Sequence, residues 1–204
     1  MNTETREKMQ ELMAVAKRAF DARLQTGTGG NISIRLNQGD RVVIKPSGIG
    51  FVECNEDNLL MVDLEGNIIA GEGKPSKDMP FHLGIYKVRP DVNGIVHVHS
   101  PWATAWASSG REIPTLTIHS SNKLGRIPLI PVGPAGGNQT PESIVEVYRD
   151  SMVKAALLEN HGSVGVGKSL LAAEHIVELI EETAQIAAVA QTINANSKET
   201  KNKG

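Results

Sequence analysis

His97 and His99 lie two apart in the apolar, β-branched run Gly94-Ile95-Val96-His97-Val98-His99-Ser100. Side chains alternate faces along a strand, so both imidazoles project from one face together with Ile95. Val96, Val98 and Ser100 take the other face. Two imidazoles fixed side by side supply two members of a metal-ligand triad. A third ligand can come from anywhere in the fold, and a fourth position can stay open for water or substrate. A lone strand histidine is most often a packed or surface residue, so the pair gains weight from its surroundings. Upstream runs Gly73-Lys74-Pro75-Ser76-Lys77-Asp78-Met79-Pro80-Phe81-His82, and downstream Glu159-Asn160-His161-Gly162. Both set carboxylate or imidazole groups at the edges of expected elements.

The elements around these groups follow from periodicity. Met9, Leu12, Met13, Ala16 and Phe20 fall at helical spacing, which predicts a helix over 4–24. Thr26-Gly27-Thr28-Gly29-Gly30-Asn31 then allows backbone shapes that other residues resist, and exposes N–H groups. Such a loop either holds an anion through its amides or is a plain helix-to-strand turn. It lacks the helix after the glycines that a dinucleotide fingerprint requires. Ile32–Leu36 and Arg41–Lys45 read as strands joined by a turn at Asn37–Asp40, and Pro46–Gly50 is a second tight polar loop. Met61–Leu64 and Asn67–Ala70 flank Glu65-Gly66 as a hairpin. The first third is therefore a helix followed by an antiparallel meander.

Ser76 is a suitable N-cap for a helix from about Lys77 to Val88. Asp78 then sits in the first turn, where an acid either complements the helix dipole or serves a site, and His82 follows one turn on. A short helix is expected over Trp102–Ser109, strands at Pro114–His119 and Ile127–Ile130, and an open loop at Gly133–Asn138. Thr140-Pro141-Glu142 starts a helix that reaches about Met152. Ala155–Leu158 is a buried strand, His161-Gly162 turns it into Ser163–Val166, and Ser169 opens a long final helix.

The chain has 204 residues, a formal net charge of −2, one cysteine and no apolar signal segment in Met1–Lys8. The near-neutral balance gives no reason to expect nucleic acid or an anionic membrane as partner. Cys54 alone excludes an intrachain disulfide and a thiolate zinc cage. No run of about 18 apolar residues is present to span a bilayer. These features describe a single cytoplasmic domain over 1–204, with 193–204 as a disordered tail.

Gly-Gly-Asn-Ile-Ser, Lys-Pro-Ser-Gly, Gly-Lys-Pro-Ser-Lys-Asp, His-Val-His-Ser and Glu-Asn-His-Gly occur in one order over roughly residues 5–192. In this the chain resembles the class II aldolase/adducin family, which includes fuculose-1-phosphate aldolase and ribulose-5-phosphate 4-epimerase. The resemblance implies an α/β, three-layer α-β-α sandwich with a central, mostly antiparallel sheet. It further implies a homotetramer with fourfold symmetry, active sites between neighbouring subunits, and one zinc-type divalent metal per subunit (Zn2+, Mn2+ or Co2+). On that mapping His97, His99 and His161 are the metal ligands and Asp78 is the catalytic acid/base. Thr28, Asn31, Ser47, Gly48, Ser76 and Lys77 belong to the loops that bind the substrate phosphate.

Chemistry is consistent with this mapping. Three neutral imidazoles leave a cation its full charge, which would stabilise the enediolate left when a carbon–carbon bond of a sugar phosphate breaks. Asp78 could shuttle the proton. The implied reaction is cleavage of a small sugar phosphate to dihydroxyacetone phosphate and an aldehyde. The sequence also departs from its relatives. The acidic position is Asp78 where the aldolases have glutamate. Ser120-Ser121-Asn122 follows His119 where the epimerases have an aspartate, and no tyrosine follows Ala190. Lys77 stands where many relatives have serine, and so resembles a branch that decarboxylates phosphorylated 3-oxo acids. Decarboxylation is thus the first alternative, 4-epimerisation the second, and a non-catalytic adducin-like interaction module the last.

Overall fold

The computed structural model describes residues 3–36, 40–133 and 139–201, with side chains to residue 195. The turn expected at 37–40 and the loop at 133–138 fall mostly outside these residues. Helix α1 (Thr3–Asp21) leads into strands β1 (Asn31–Arg35), β2 (Arg41–Ile44), β3 (Leu60–Asp63) and β4 (Ile68–Ala70). Next come helix α2 (Met79–Val88), strand β5 (Gly94–Val98) and helices α3 (Pro101–Ser108) and α4 (Ile118–Leu124). Strand β6 (Leu129–Ile130), helix α5 (Pro141–Tyr148), strands β7 (Ala155–Leu158) and β8 (Gly162–Gly167) and the long helix α6 (Leu170–Lys201) complete the chain. The expected tail from 193 therefore carries on as helical backbone to Lys201.

The eight strands form one sheet in the order β4-β3-β2-β1-β5-β8-β7-β6. Every pairing is antiparallel except β6 with β7. Strand alternation divides the apolar residues into two cores. Ile32, Ile34, Val96, Val98, Ala155 and Leu157 face one side, where they pack with Leu12 and Ala16 of α1, Trp106 of α3 and Val177 and Ile180 of α6. Val42, Ile44, Ile95, Ala156, Val164 and Val166 face the other, against Phe81, Ile85 and Tyr86 of α2 and Ile144 and Tyr148 of α5. Helices on both faces of a mostly antiparallel sheet make the three layers that the sequence implied. The centre of the sheet, β1-β5-β8, carries the histidine pair and is closed to solvent on both sides.

Three expectations fail locally. Helix α5 ends at Tyr148, short of Met152. Pro114–His119 is not a strand: Thr117 caps α4 instead, its hydroxyl accepting from the Ser120 amide at 3.0 Å. Alternating Thr-Leu-Thr-Ile reads as a strand, but the cap gives those residues local hydrogen bonds that a strand without a neighbour lacks. Helix α2 also starts two residues later than read. Ser76 does not cap it; its Oγ accepts from the Asp78 amide at 3.2 Å, which makes a turn ahead of the helix.

Candidate metal centre and anion cradle

Register brings the imidazoles together. In the β5–β8 pairing His97 lies opposite Val164, and His161 sits one residue before β8, in the turn that joins β7 to it. That turn closes with the His161 amide donating to the Leu158 carbonyl at 3.0 Å, and Asn160 adopts φ 57°. Asparagine tolerates this left-handed shape better than most residues, which suits the Glu-Asn-His-Gly order. His99 lies one residue past the end of β5, and its amide donates to Gln25 Oε1 at 2.9 Å. The three Nε2 atoms then converge: His97 to His99 at 3.1 Å and His97 to His161 at 3.3 Å.

These separations test whether a cation fits. Zn–N bonds of about 2.0–2.1 Å in tetrahedral geometry place two ligand nitrogens about 3.3 Å apart. The spacing found is therefore that of ligands around one ion. The protonation pattern fits as well. His97 Nδ1 donates to the Ser163 carbonyl at 3.0 Å, which leaves Nε2 bare. Burial holds the His97 ring well below the usual imidazole range, with His161 and His99 adding to the effect. Burial, then His161, also lowers His99. Both rings stay neutral, as metal ligands must be.

Asp78 stands beside the triad, with Oδ2 3.8 Å from His97 Nε2. It occupies the residue before α2, close to the free amides of the helix start. Asn31, opposite His97 in the β1–β5 pairing, donates its amide to Asp78 Oδ2 at 2.7 Å and to Ser76 Oγ at 3.2 Å. Both amide hydrogens are thus directed to the Ser76-Lys77-Asp78 turn.

The loops expected to hold phosphate lie side by side. Lys45 joins two of them: its buried ammonium donates to the carbonyls of Thr28 at 3.3 Å, Pro46 at 3.2 Å and Ile49 at 2.5 Å. The Ser47 amide donates to the Lys74 carbonyl at 2.8 Å and so ties in the third. Thr28, Ser47, Gly48 and Lys77 are exposed along this edge, and Ser76 is half-buried. Two of the loops turn carbonyls in toward Lys45, and the hydroxyls of Thr28 and Ser47 and the ammonium of Lys77 belong to exposed residues on this edge.

Two contributors are not singled out from sequence, and a third, His82, is placed one turn after Asp78 without a role. Lys45 closes a buried strand, and it could have been marked by its place after Val-Val-Ile and at the head of the Lys-Pro-Ser-Gly motif. Gln25 holds the His99 amide and donates to the Thr26 carbonyl at 2.8 Å, and His82 touches Asn31. Glu159, which opens the Glu-Asn-His-Gly run, accepts from the Val132 amide at 2.9 Å.

A triad of converging imidazoles at the central strands of a three-layer α/β fold, with a carboxylate beside it and three polar loops alongside, is the arrangement of a metal-dependent lyase of the aldolase type. The profile described as Class II Aldolase and Adducin N-terminal domain matches residues 10–188. The chain belongs to this family. It is 34% identical over 177 residues to the 5-deoxy-D-ribulose 1-phosphate aldolase of Bacillus thuringiensis, covering 87% of this chain and 82% of that one. It is 36% identical over 169 residues to an L-fuculose phosphate aldolase of Methanococcus maripaludis, covering 82% and 88%. The crystal structure of L-fuculose-1-phosphate aldolase from Thermus thermophilus superposes with a TM-score of 0.79 at 26% identity, covering 92% and 95%. Among the described residues no helix is long and apolar enough to cross a membrane.

Proposed function

We propose that this aldolase cleaves a small ketose 1-phosphate to dihydroxyacetone phosphate and an aldehyde, using zinc or a similar divalent ion held by His97, His99 and His161. The convergence of the three Nε2 atoms beside the Asp78 carboxylate carries the reading. The two enzymes compared by sequence are named for 5-deoxyribulose 1-phosphate and fuculose phosphate, which points to the same substrate class.

When bound, the cation supplies positive charge that stabilises negative charge growing on a substrate oxygen. The protein's own groups do the rest. Thr28, Ser47, Gly48, Ser76 and Lys77 line the edge that takes the phosphate, through backbone amides, hydroxyls and one ammonium, and buried Asn31, its amide committed to Ser76 and Asp78, holds that edge from behind. Binding there fixes the reacting carbons at a set distance from Asp78. As the bond between C3 and C4 breaks, the Asp78 carboxylate takes the proton of the C4 hydroxyl, and the electron pair of the bond passes through C3 to the C2 oxygen. Asp78 then returns a proton to C3. Its side chain is one methylene shorter than glutamate, which suits proton transfer from beside the ion over direct ligation.

Lys77 favours one second reading. Its exposed ammonium beside Ser76 could pair with the carboxylate of a phosphorylated 3-oxo acid, so that carbon dioxide leaves in place of the aldehyde. Assembly as a homotetramer belongs to the same proposal. It is supported by apolar side chains left in the open, Ile118 at 82% exposure and Met152 at 75%. The deciding experiment is a product assay of metal-loaded enzyme on ketose 1-phosphates, pentulose 5-phosphates and phosphorylated 3-oxo acids. Triose phosphate release is expected from the first class. Carbon dioxide release from the 3-oxo acids, with no aldehyde or triose phosphate formed from the ketose 1-phosphates, would replace the aldolase reading with the decarboxylase.

A further inference from the structure

A buried line of polar side chains runs from the site into the layer between the sheet and α2. Asp78 Oδ2 accepts from Asn31 Nδ2 at 2.7 Å. Asn31 Oδ1 meets His82 Nε2 at 2.5 Å. His82 Nδ1 meets Ser33 Oγ at 2.7 Å, and Ser33 Oγ meets Tyr86 Oη at 2.9 Å. Asn31, Ser33, His82 and Tyr86 are all buried, and all but Tyr86 are polar residues in a layer that is otherwise apolar. Such groups are expensive to bury unless each finds its partner.

The direction of every bond follows from the carboxylate end. A carboxylate only accepts, so Asn31 must turn its nitrogen to Asp78 and its oxygen to His82. An amide oxygen only accepts, so His82 must carry its hydrogen on Nε2. Burial keeps the ring neutral, and its Nδ1 is then bare and accepts from the Ser33 hydroxyl. With its own hydrogen directed to His82, Ser33 Oγ accepts from the Tyr86 hydroxyl, whose single hydrogen is shared between Ser33 Oγ and the Ser33 carbonyl, both at 2.9 Å, and the line ends there.

We propose that His82 and Ser33 are positioning residues for Asp78, acting through the Asn31 amide. In the opposite ring tautomer the bare Nε2 would draw the Asn31 nitrogen toward itself. The Asn31 oxygen would then face the Asp78 carboxylate at 2.7 Å, and repulsion would push the acid off its place beside His97. The Ser33 hydroxyl supports the productive tautomer by donating to the bare Nδ1, which would otherwise be buried without a partner. Asn31 also pairs with His97 across β1 and β5, so one register sets the triad and the acid together. This inference rests on the aldolase reading, with Asp78 as the proton carrier.

The test uses full-length zinc-loaded enzyme and the variants Ser33→Ala, His82→Leu and His82→Gln, the last keeping an N–H close to the ring Nε2 position. Exchange of solvent hydrogen into dihydroxyacetone phosphate, measured without any aldehyde, reads the Asp78 step alone. Ser33→Ala and His82→Leu should lower this exchange and kcat on the order of 10–100-fold, the usual cost of losing an outer partner of a site group. KM and zinc content should stay within about 2-fold, and His82→Gln should recover most of the loss. Nitrogen NMR of the unaltered protein should show His82 protonated at Nε2. Since Ser33→Ala removes only a hydroxyl, it covers the case in which His82→Leu does not fold. Full exchange in Ser33→Ala, or an Nδ1-protonated His82 in the unaltered protein, would overturn the proposal. If the unaltered enzyme releases no triose phosphate, the aldolase reading fails, while the ring tautomer still decides the hydrogen-bond line.

Discussion

The imidazole triad and the anion cradle lie next to each other and are built by opposite means. His97 is fully buried on a strand paired on both sides, and its ring is aimed by a hydrogen bond to the neighbouring strand. The cradle consists of three loops, exposed along their outer edge, with no strand pairing at Thr28, Gly48 or Lys77. What holds them together is the buried Lys45 ammonium and a few backbone hydrogen bonds. Strand register fixes positions within fractions of an ångström, as ligation requires, whereas clipped loops can settle around an anion without straining the sheet. The two regions should therefore fail separately, and four experiments test that separation.

The largest effect is expected from His97→Ala. One nitrogen of three is lost, and the cation's charge supplies several kcal/mol to the reaction, so activity should fall on the order of 10³-fold or more. Zinc content by atomic absorption should drop with it. The melting temperature of the metal-free protein should change little, because the cores on both faces do not use the ion. Retention of zinc in this variant would show that the triad is not the binding site.

Lys45→Met removes the clip and leaves the triad. Three carbonyls lose their donor, and each buried unpaired group costs about 1–3 kcal/mol where water cannot reach it. Denaturant titration should show a loss of about 2–3 kcal/mol. KM for the phosphorylated substrate should rise on the order of 10-fold, with zinc content unchanged and a non-phosphorylated ketose turned over as before. Loss of zinc would mean that the two regions are mechanically one.

Acid tests the buried side of the comparison. Burial lowers His82 from an ordinary value of 6.5 to about 3, so the folded state resists a proton that the unfolded chain takes up. Stability is complete above pH 6.5 and declines as pH falls from there toward about 3. At pH 5 the loss from His82 alone is about 2 kcal/mol. Urea titrations of the metal-free protein at pH 7.5 and 5 should show it, and His82→Gln should remove that share. An unchanged midpoint would mean that the ring is more open to water than its burial indicates.

The two regions also differed in how plainly the sequence announced them. Alternation placed His97 and His99 on one face with Ile95, since period two is a geometric necessity of any strand. The meander followed from the same periodicity, whereas the two layers of helices were implied by the family resemblance. Residues acting at a distance were not visible. Lys45 reaches carbonyls in two loops and Gln25 reaches His99 from 74 positions away, contacts that depend on how loops fold over one another. The strand expected at Pro114–His119 failed for a related reason. A period-two pattern has no force without a neighbouring strand, and the Thr117 cap supplied the local alternative.

The smallest effect is expected from a glycine pair that sharpens the contrast. Gly48 has φ 79°, and a Cβ there would meet nothing within 4 Å. Gly48→Ala therefore costs only the left-handed backbone, about 1 kcal/mol. It should show a modest rise in KM for the phosphorylated substrate as the loop relaxes. Gly30 also has positive φ, at 60°, but its Cβ would lie 2.5 Å from Gln25 Oε1 and 2.7 Å from the His97 carbonyl. One of these must give way, and both belong to groups that set the triad. Gly30→Ala should accordingly weaken zinc binding, measured by competition with a chelator, while Gly48→Ala leaves it untouched. If both substitutions moved zinc affinity alike, the cradle would be as rigidly coupled to the metal centre as the strands are, and the division of labour between register and clipped loops would be wrong.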